Sequence, residues 1–168
     1  QTVEILRRYD GQLKWVSEKD GGQSDAVNKG IAGGKGDIIG WLNSDDTYCP
    51  GALAVVADFF QSNPDVMLVY GDADYIDAAG RRIAPCAHIE PFNARRLLHY
   101  SDIIVQPAAF FRREAFEAVG GLDVSLNYCM DYDLWLKIAA RFKVAYLPRT
   151  LARFRWFGQN KTAVGGRE

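Results

Sequence analysis

Long apolar runs are missing from this chain. None approaches the roughly 18 to 20 residues that span a bilayer. Cysteine is scarce: Cys49, Cys86 and Cys129 are odd in number and show no CxxC spacing. That pattern argues against a disulfide framework and against a zinc site, and it suits a reducing, cytoplasmic setting. No signal-peptide pattern is visible. An excess of one charge is missing too. With 20 Lys and Arg against 21 Asp and Glu, the formal net charge is -1 and no basic block dominates. A nucleic-acid partner is therefore not expected. The nearest basic series, Arg149, Arg153, Arg155 and Lys161, is too sparse for such a face but could meet a small anionic ligand. His88 and His99 have no Ser or Cys in a nucleophile setting, which argues against a hydrolytic triad.

What is present is an ordinary globular composition, 48% hydrophobic and 24% charged over 168 residues. That length is one domain, 1–168, with enough chain to bury a substantial core. Apolar spacing predicts helices over 2–9, 23–32, 52–60, 92–99, 113–119 and 131–142. Strands are predicted over 13–16, 38–42, 66–70 with a continuation at 73–76, 81–84, 108–111, 144–147 and 151–154. The early strand–helix alternation implies a mainly parallel sheet flanked by helices. The later hairpin-like strands imply a smaller antiparallel region, so the class is α/β.

Within that scheme the apolar run Ile38 to Leu42 ends abruptly in Asn43, Ser44, Asp45 and Asp46. Ligands of open α/β sheets bind just beyond the carboxyl ends of such strands. Adjacent carboxylates there repel one another unless a cation or hydrogen-bond donors offset the charge. One reading is a hard-metal site that also holds a phosphorylated ligand. The other is a polar turn whose Asp or Ser caps a helix starting near Pro50. A second acidic cluster, Asp131-Tyr132-Asp133, opens a helix carrying Leu134, Trp135 and Ile138. It reads either as simple capping or as a general base aimed into a cleft. The glycines at 33, 34, 36 and 40 fit neither a P-loop nor a dinucleotide fingerprint, and read as turn residues.

Taken jointly, four segments resemble the inverting glycosyltransferase family 2, whose fold is GT-A. They are Ser17 to Gly30 with its Ala-x-Asn-x-Gly ending, Asn43-Ser-Asp-Asp46, Gln106 to Glu114 with Val119 to Asp123, and Met130 to Lys137. A weaker piece spans 153–162. The second resembles a DxD metal motif and the fourth the segment bearing the catalytic base. The resemblance implies that Asp45 and Asp46 hold Mg2+ or Mn2+, with Asn43 near the ribose of a nucleotide-sugar. It implies Asp131 as general base and Asp133 as a supporting or capping group. Asp20 and Asp25 would approach the nucleotide, and Arg155 would meet the phosphates. The donor expected is UDP-linked, the acceptor a saccharide or lipid-linked hydroxyl, and the setting surface-polysaccharide synthesis, with peripheral membrane association left open.

Three departures stand out. The family's first strand and its Pro-x-Tyr-Asn-type turn do not precede Gln1, so the chain reads as N-terminally truncated. Such an edge would invite a homo-oligomer that covers it. Met130 replaces an acidic residue, and Arg155-Trp156-Phe157 stands where many members have Arg-x-His. Two rivals remain: an inactive nucleotide-binding or interacting remnant of the fold, and a two-carboxylate glycoside hydrolase.

Overall fold

The structure is a computed structural model that describes residues 2–157. Lys161, and the part of the weak 153–162 segment beyond 157, lie outside the described residues. The elements run α1 (Thr2–Arg7), α2 (Gln23–Gly33), β1 (Ile38–Gly40), β2 (Thr47–Tyr48) and α3 (Ala52–Ser62). There follow β3 (Val66–Ile76), β4 (Arg82–Pro85), α4 (Ala94–His99), a 3-10 turn (Gln106–Ala108) and β5 (Ala109–Arg112). Helices α5 (Arg113–Ala118) and α6 (Met130–Ala139) precede the last strand, β6 (Lys143–Arg155).

The sheet order is β1-β5-β3-β6-β2, with β4 also beside β3. Its centre is a long parallel ladder that runs from Val66 opposite Lys143 to Ile76 opposite Arg155. Strand β5 is antiparallel to both β1 and β3. Consequently β1, β3 and β6 point the same way, with β5 inserted against them. Strands β2 and β4 are short antiparallel additions to β6 and β3. The α/β expectation of a parallel core with antiparallel additions therefore holds.

Alternation along the strands feeds two apolar layers. In β5, Ala109 and Phe111 face one layer while Phe110 faces the other. The first layer joins Leu68 and Tyr70 of β3 to Leu97 of α4, Phe116 of α5, and Leu134, Trp135 and Ile138 of α6. The second packs Ala52, Val56 and Phe60, spaced four apart on α3, against Val66, Val69 and Leu151. Leu53 is 59% exposed because the buried stripe runs one position earlier, through Ala52.

Three expectations need correction. The segment 13–16 is not a strand: an isolated bridge pairs Asp10 with Leu13, and Val16 is exposed. Its side chains hold it by single bonds instead, Trp15 Nε1 to Asp10 Oδ1 at 2.7 Å and Lys14 Nζ to Gly33 O, at the end of α2, at 2.9 Å. The segments 144–147 and 151–154 are one strand, β6, with a register slip where Pro148 and Arg149 fall between Leu147 and Thr150. Proline cannot donate to a ladder, so the chain bulges there. Gly71 accommodates the bulge, since a Cβ at that position would lie 2.5 Å from Arg149 O. Finally, the acidic turn does not cap α3. Gly51, with φ 78, precedes that helix without a side-chain cap, and β2 intervenes.

Candidate active site

Strand β1 delivers the chain into the turn Asn43 to Asp46, which closes when Asp46 N–H donates to Asn43 O at 3.1 Å. Asp46 is buried, at 5% exposure. Its Oδ1 accepts the Arg155 backbone N–H at 2.9 Å, while its buried Oδ2 has no hydrogen-bond partner. Burial pushes its carboxyl up to about 6; the Arg155 N–H opposes this, and the Asp45 charge reinforces it. Asp45 is half-buried and therefore the more accessible of the two.

Arg155 fastens this turn from behind. Its Nε donates to Asp45 O at 2.7 Å, and its Nη1 to Asp77 O and Ala78 O at 2.7 and 3.0 Å. The guanidinium thus ties the acidic turn to the turn between β3 and β4. Through those donors the side chain clamps the turn.

Beside the turn lies a cleft of about 700 Å3 whose walls include Asn43, Asp102 and Asp131. Asn43 Oδ1 accepts from Gln23 Nε2 at 3.2 Å and from Trp41 Nε1 at 3.1 Å. Its Nδ2 donates to Gln106 Oε1 at 2.9 Å, and Gln106 Nε2 donates to Trp41 O. Both ends of the Asn43 amide are therefore engaged, and the residue braces the cleft wall. The network draws on α2, the segment after β1, and the 3-10 turn before β5.

Asp131 enters the same cleft from the first turn of α6. Cys129, just before the helix, adopts φ 57, a left-handed conformation that costs a non-glycine residue energy. That bend turns the chain into α6 beside the cleft. Asp133 follows the supporting role instead, pairing with Lys137 at 2.6 Å. Asp102 was not anticipated from the sequence. Its Oδ1 accepts the Ile104 N–H at 2.9 Å. Desolvation raises its carboxyl to about 7, and the charge of Asp131 adds to the rise. The residue also keeps an exposed surface. Only a Ser-Asp pair ahead of an apolar run marks it in the sequence, and such pairs are common in loops.

Asn28 of the Ala-x-Asn-x-Gly segment holds the loop that leads toward α6. Its side chain accepts from Leu122 N at 3.0 Å and donates to Leu122 O at 2.9 Å. Asp20 and Asp25 lie apart. Asp20 Oδ1 accepts from Gly22 N at 3.0 Å and borders a separate groove of about 570 Å3. Asp25 accepts from Gly21 N at 2.8 Å and pairs with Lys29 at 3.0 Å. The Gly21 N–H, with Lys29, holds its carboxyl below the usual carboxylate range. Thus the structure gathers Asn43 and Asp131 around one cleft and sets Asp20 and Asp25 outside it. Among the described residues, no group of three or more His, Cys, Asp or Glu could hold a metal. Nor is any helix among them long and apolar enough to cross a membrane.

Residues 1–120 match the family described as Glycosyl transferase family 2. The chain belongs to that family. The O-antigen biosynthesis protein RfbC of Myxococcus xanthus is 36% identical over 124 residues, covering 74% of this chain. This chain spans only 10% of that protein's length. S. aureus TarS 1-349, solved in complex with UDP-GlcNAc, superposes with a TM-score of 0.69 at 15% identity. That match covers 93% of this chain and 46% of the TarS chain. Mannosyltransferase PcManGT from Pyrobaculum calidifontis, in complex with GDP-Man and Mn2+, gives 0.63 at 17% identity, covering 91% and 44%. At such identities the likeness speaks for the fold, which is the GT-A fold expected from the motif order. Asp131 lies beyond the matched residues and lines the cleft.

Proposed function

We propose that this family 2 domain transfers a sugar, with inversion, from a nucleotide-diphosphate donor to an acceptor hydroxyl. The observation that carries the reading is one cleft bordered both by Asn43 of the acidic turn and by Asp131. In that cleft the Asp131 carboxylate takes the proton of the acceptor hydroxyl as its oxygen attacks the anomeric carbon. A single displacement on the face opposite the leaving diphosphate inverts the configuration. Catalysis then rests on placing acceptor and donor together, with Trp41, Asn43 and Gln106 holding the wall in one arrangement.

The residues of the acidic turn fit a hard divalent cation. Asp45 is accessible, and the Asp46 Oδ2 is a buried oxygen without a hydrogen-bond partner. Mg2+ or Mn2+ would be held by these two carboxylates, with donor phosphates and water completing the shell, a pattern that suits Mg2+. Bound there, the cation supplies Lewis-acid neutralisation of the charge on the leaving diphosphate. UDP is the favoured nucleotide because TarS is solved with UDP and UDP-GlcNAc, and GDP is second because PcManGT holds GDP-Man. The name of RfbC supports a role in building a surface polysaccharide.

Calorimetric titration of the chain with UDP and GDP, with and without Mn2+, tests this. Mn2+ should strengthen binding of UDP more than of GDP, and Asp45→Asn should remove the Mn2+ effect. If neither nucleotide binds better with Mn2+, the transferase reading fails.

A further inference from the structure

The half of the cleft around Asp131 has a composition that selects among acceptors. Among the described residues that line it there is no Lys or Arg, and two carboxylates, Asp102 and Asp131, share the space. Among those described residues the exposed His99 is the one lining side chain able to carry positive charge. A phosphate or carboxylate brought here would meet repulsion from the two acids, since the nearby Arg96 is already paired with Glu90 and only the exposed His99 is left to offset it. A neutral polyol meets the opposite situation, because ionised carboxylates are acceptors for hydroxyl protons.

Two aromatic rings complete the picture. Tyr100 is 71% exposed and Tyr128 46% exposed, and both line this cleft. Aromatic side chains left at a surface forfeit a large burial gain, so their collection at a cleft mouth points to an apolar ligand face. The C–H face of a pyranose ring is such a surface: flat, weakly positive and attracted to the electron-rich ring face. The Tyr100 ring is braced for it, since Arg96 sits over the ring at 5.6 Å from the centroid and is itself paired with Glu90 at 2.7 Å. Asp102 is fixed as well, with Oδ1 held by the Ile104 N–H and Oδ2 left for a ligand hydroxyl.

We propose that Tyr100, Tyr128 and Asp102 form the acceptor subsite and select an uncharged pyranose. The rings stack on the sugar, and Asp102 accepts a hydroxyl beside the one that Asp131 deprotonates. This inference rests on the transferase reading for the role of Asp131, but its binding prediction stands separately. It also divides the expected acceptors: a lipid-linked acceptor would enter sugar first, with its phosphate outside the cleft.

Saturation-transfer NMR on the chain, using methyl pyranosides of glucose, galactose, mannose, rhamnose and N-acetylglucosamine, provides the test. At least one glycoside should bind, and its 6-phosphate or uronic-acid counterpart should bind about tenfold more weakly. Tyr100→Ala and Asp102→Asn should each weaken the neutral ligand by about fivefold or more, and Asp102→Lys should bring the charged counterpart to parity. Equal binding of neutral and charged ligands would overturn the proposal. So would unchanged binding in both Tyr100→Ala and Asp102→Asn, or no binding by any glycoside at millimolar concentration. Nucleotide titration of the same samples separates the two readings. Glycoside selection without nucleotide binding keeps the subsite and sinks the transferase; nucleotide binding without selection does the reverse.

Discussion

Asp45 and Asp46 sit on a turn fastened from behind by Arg155, whereas Asp102 and Asp131 border open space. In both places two carboxylates stand close enough to raise a proton affinity. At the turn the cause is mainly burial, and the backbone N–H of Arg155 holds the Asp46 carboxylate in one orientation. In the cleft each acid keeps some exposure and shares the lining with aromatic rings. The contrast separates two kinds of acidic site. A fixed pair with one enclosed member suits a bound cation that offsets its charge, while an open pair suits a ligand that must arrive and leave.

The largest expected effect is on the open pair. Asp131→Asn should lower turnover by about 100-fold to 10,000-fold, the usual range for loss of a general base, while Mn2+-assisted nucleotide binding stays within about twofold. Steady-state rates and calorimetry on one preparation would check both. Retained turnover would dissolve the division of labour between the two pairs.

Next comes the enclosed pair, tested through stability in the presence of a chelator. Because the folded carboxyl of Asp46 sits at about 6 against 3.8 unfolded, the protonated form is favoured by folding. Below pH 3.8 the group is neutral in both states and imposes no charge-burial cost. Between 3.8 and about 6 the unfolded chain ionises first, so stability is lost as pH rises; above 6 the full cost persists. At ~1.4 kcal/mol per pH unit that cost is about 3 kcal/mol. Urea unfolding should therefore show Asp46→Asn gaining about 3 kcal/mol on the parent between pH 3.8 and 6, and levelling off above. A flat difference across that window would mean that the enclosed pair carries no charge-burial cost.

The smallest effect sharpens the comparison from the other side. In Asp131→Asn, carboxyl NMR should show the Asp102 midpoint falling by about one pH unit or less from its starting value near 7. It should remain above 3.8, because desolvation is the larger cause and the neighbouring charge the lesser one. A fall all the way to 3.8 would make the open pair purely electrostatic.

Much of this was legible in order along the chain. The helices and strands follow apolar spacing closely, since burial of one face requires that spacing wherever the element packs. The failures lie where a partner distant in sequence decides the outcome. Segment 13–16 has strand-forming residues but no ladder among the described residues, so it stays a loop. Pro148 splits the pattern of β6, yet the ladder on β3 carries the strand across the bulge. The charge of Arg155 is visible in sequence, but the carbonyls it clamps come from residues 45, 77 and 78, which only the fold brings to it.

By itself the sequence determined the α/β class, the family, the acidic turn after β1 and the acid at the start of α6. Those are local: a residue type at a spacing, or a run ended by polar groups. Only the tertiary structure decided that Asp46 is enclosed while Asp45 is accessible, and that Asn43 is spent on bracing. It alone brought Asp102 beside Asp131, 29 positions apart in the chain. The physical reason is that burial and mutual charge depend on neighbours in space, and a sheet with β5 inserted between β1 and β3 sets neighbours that chain order does not.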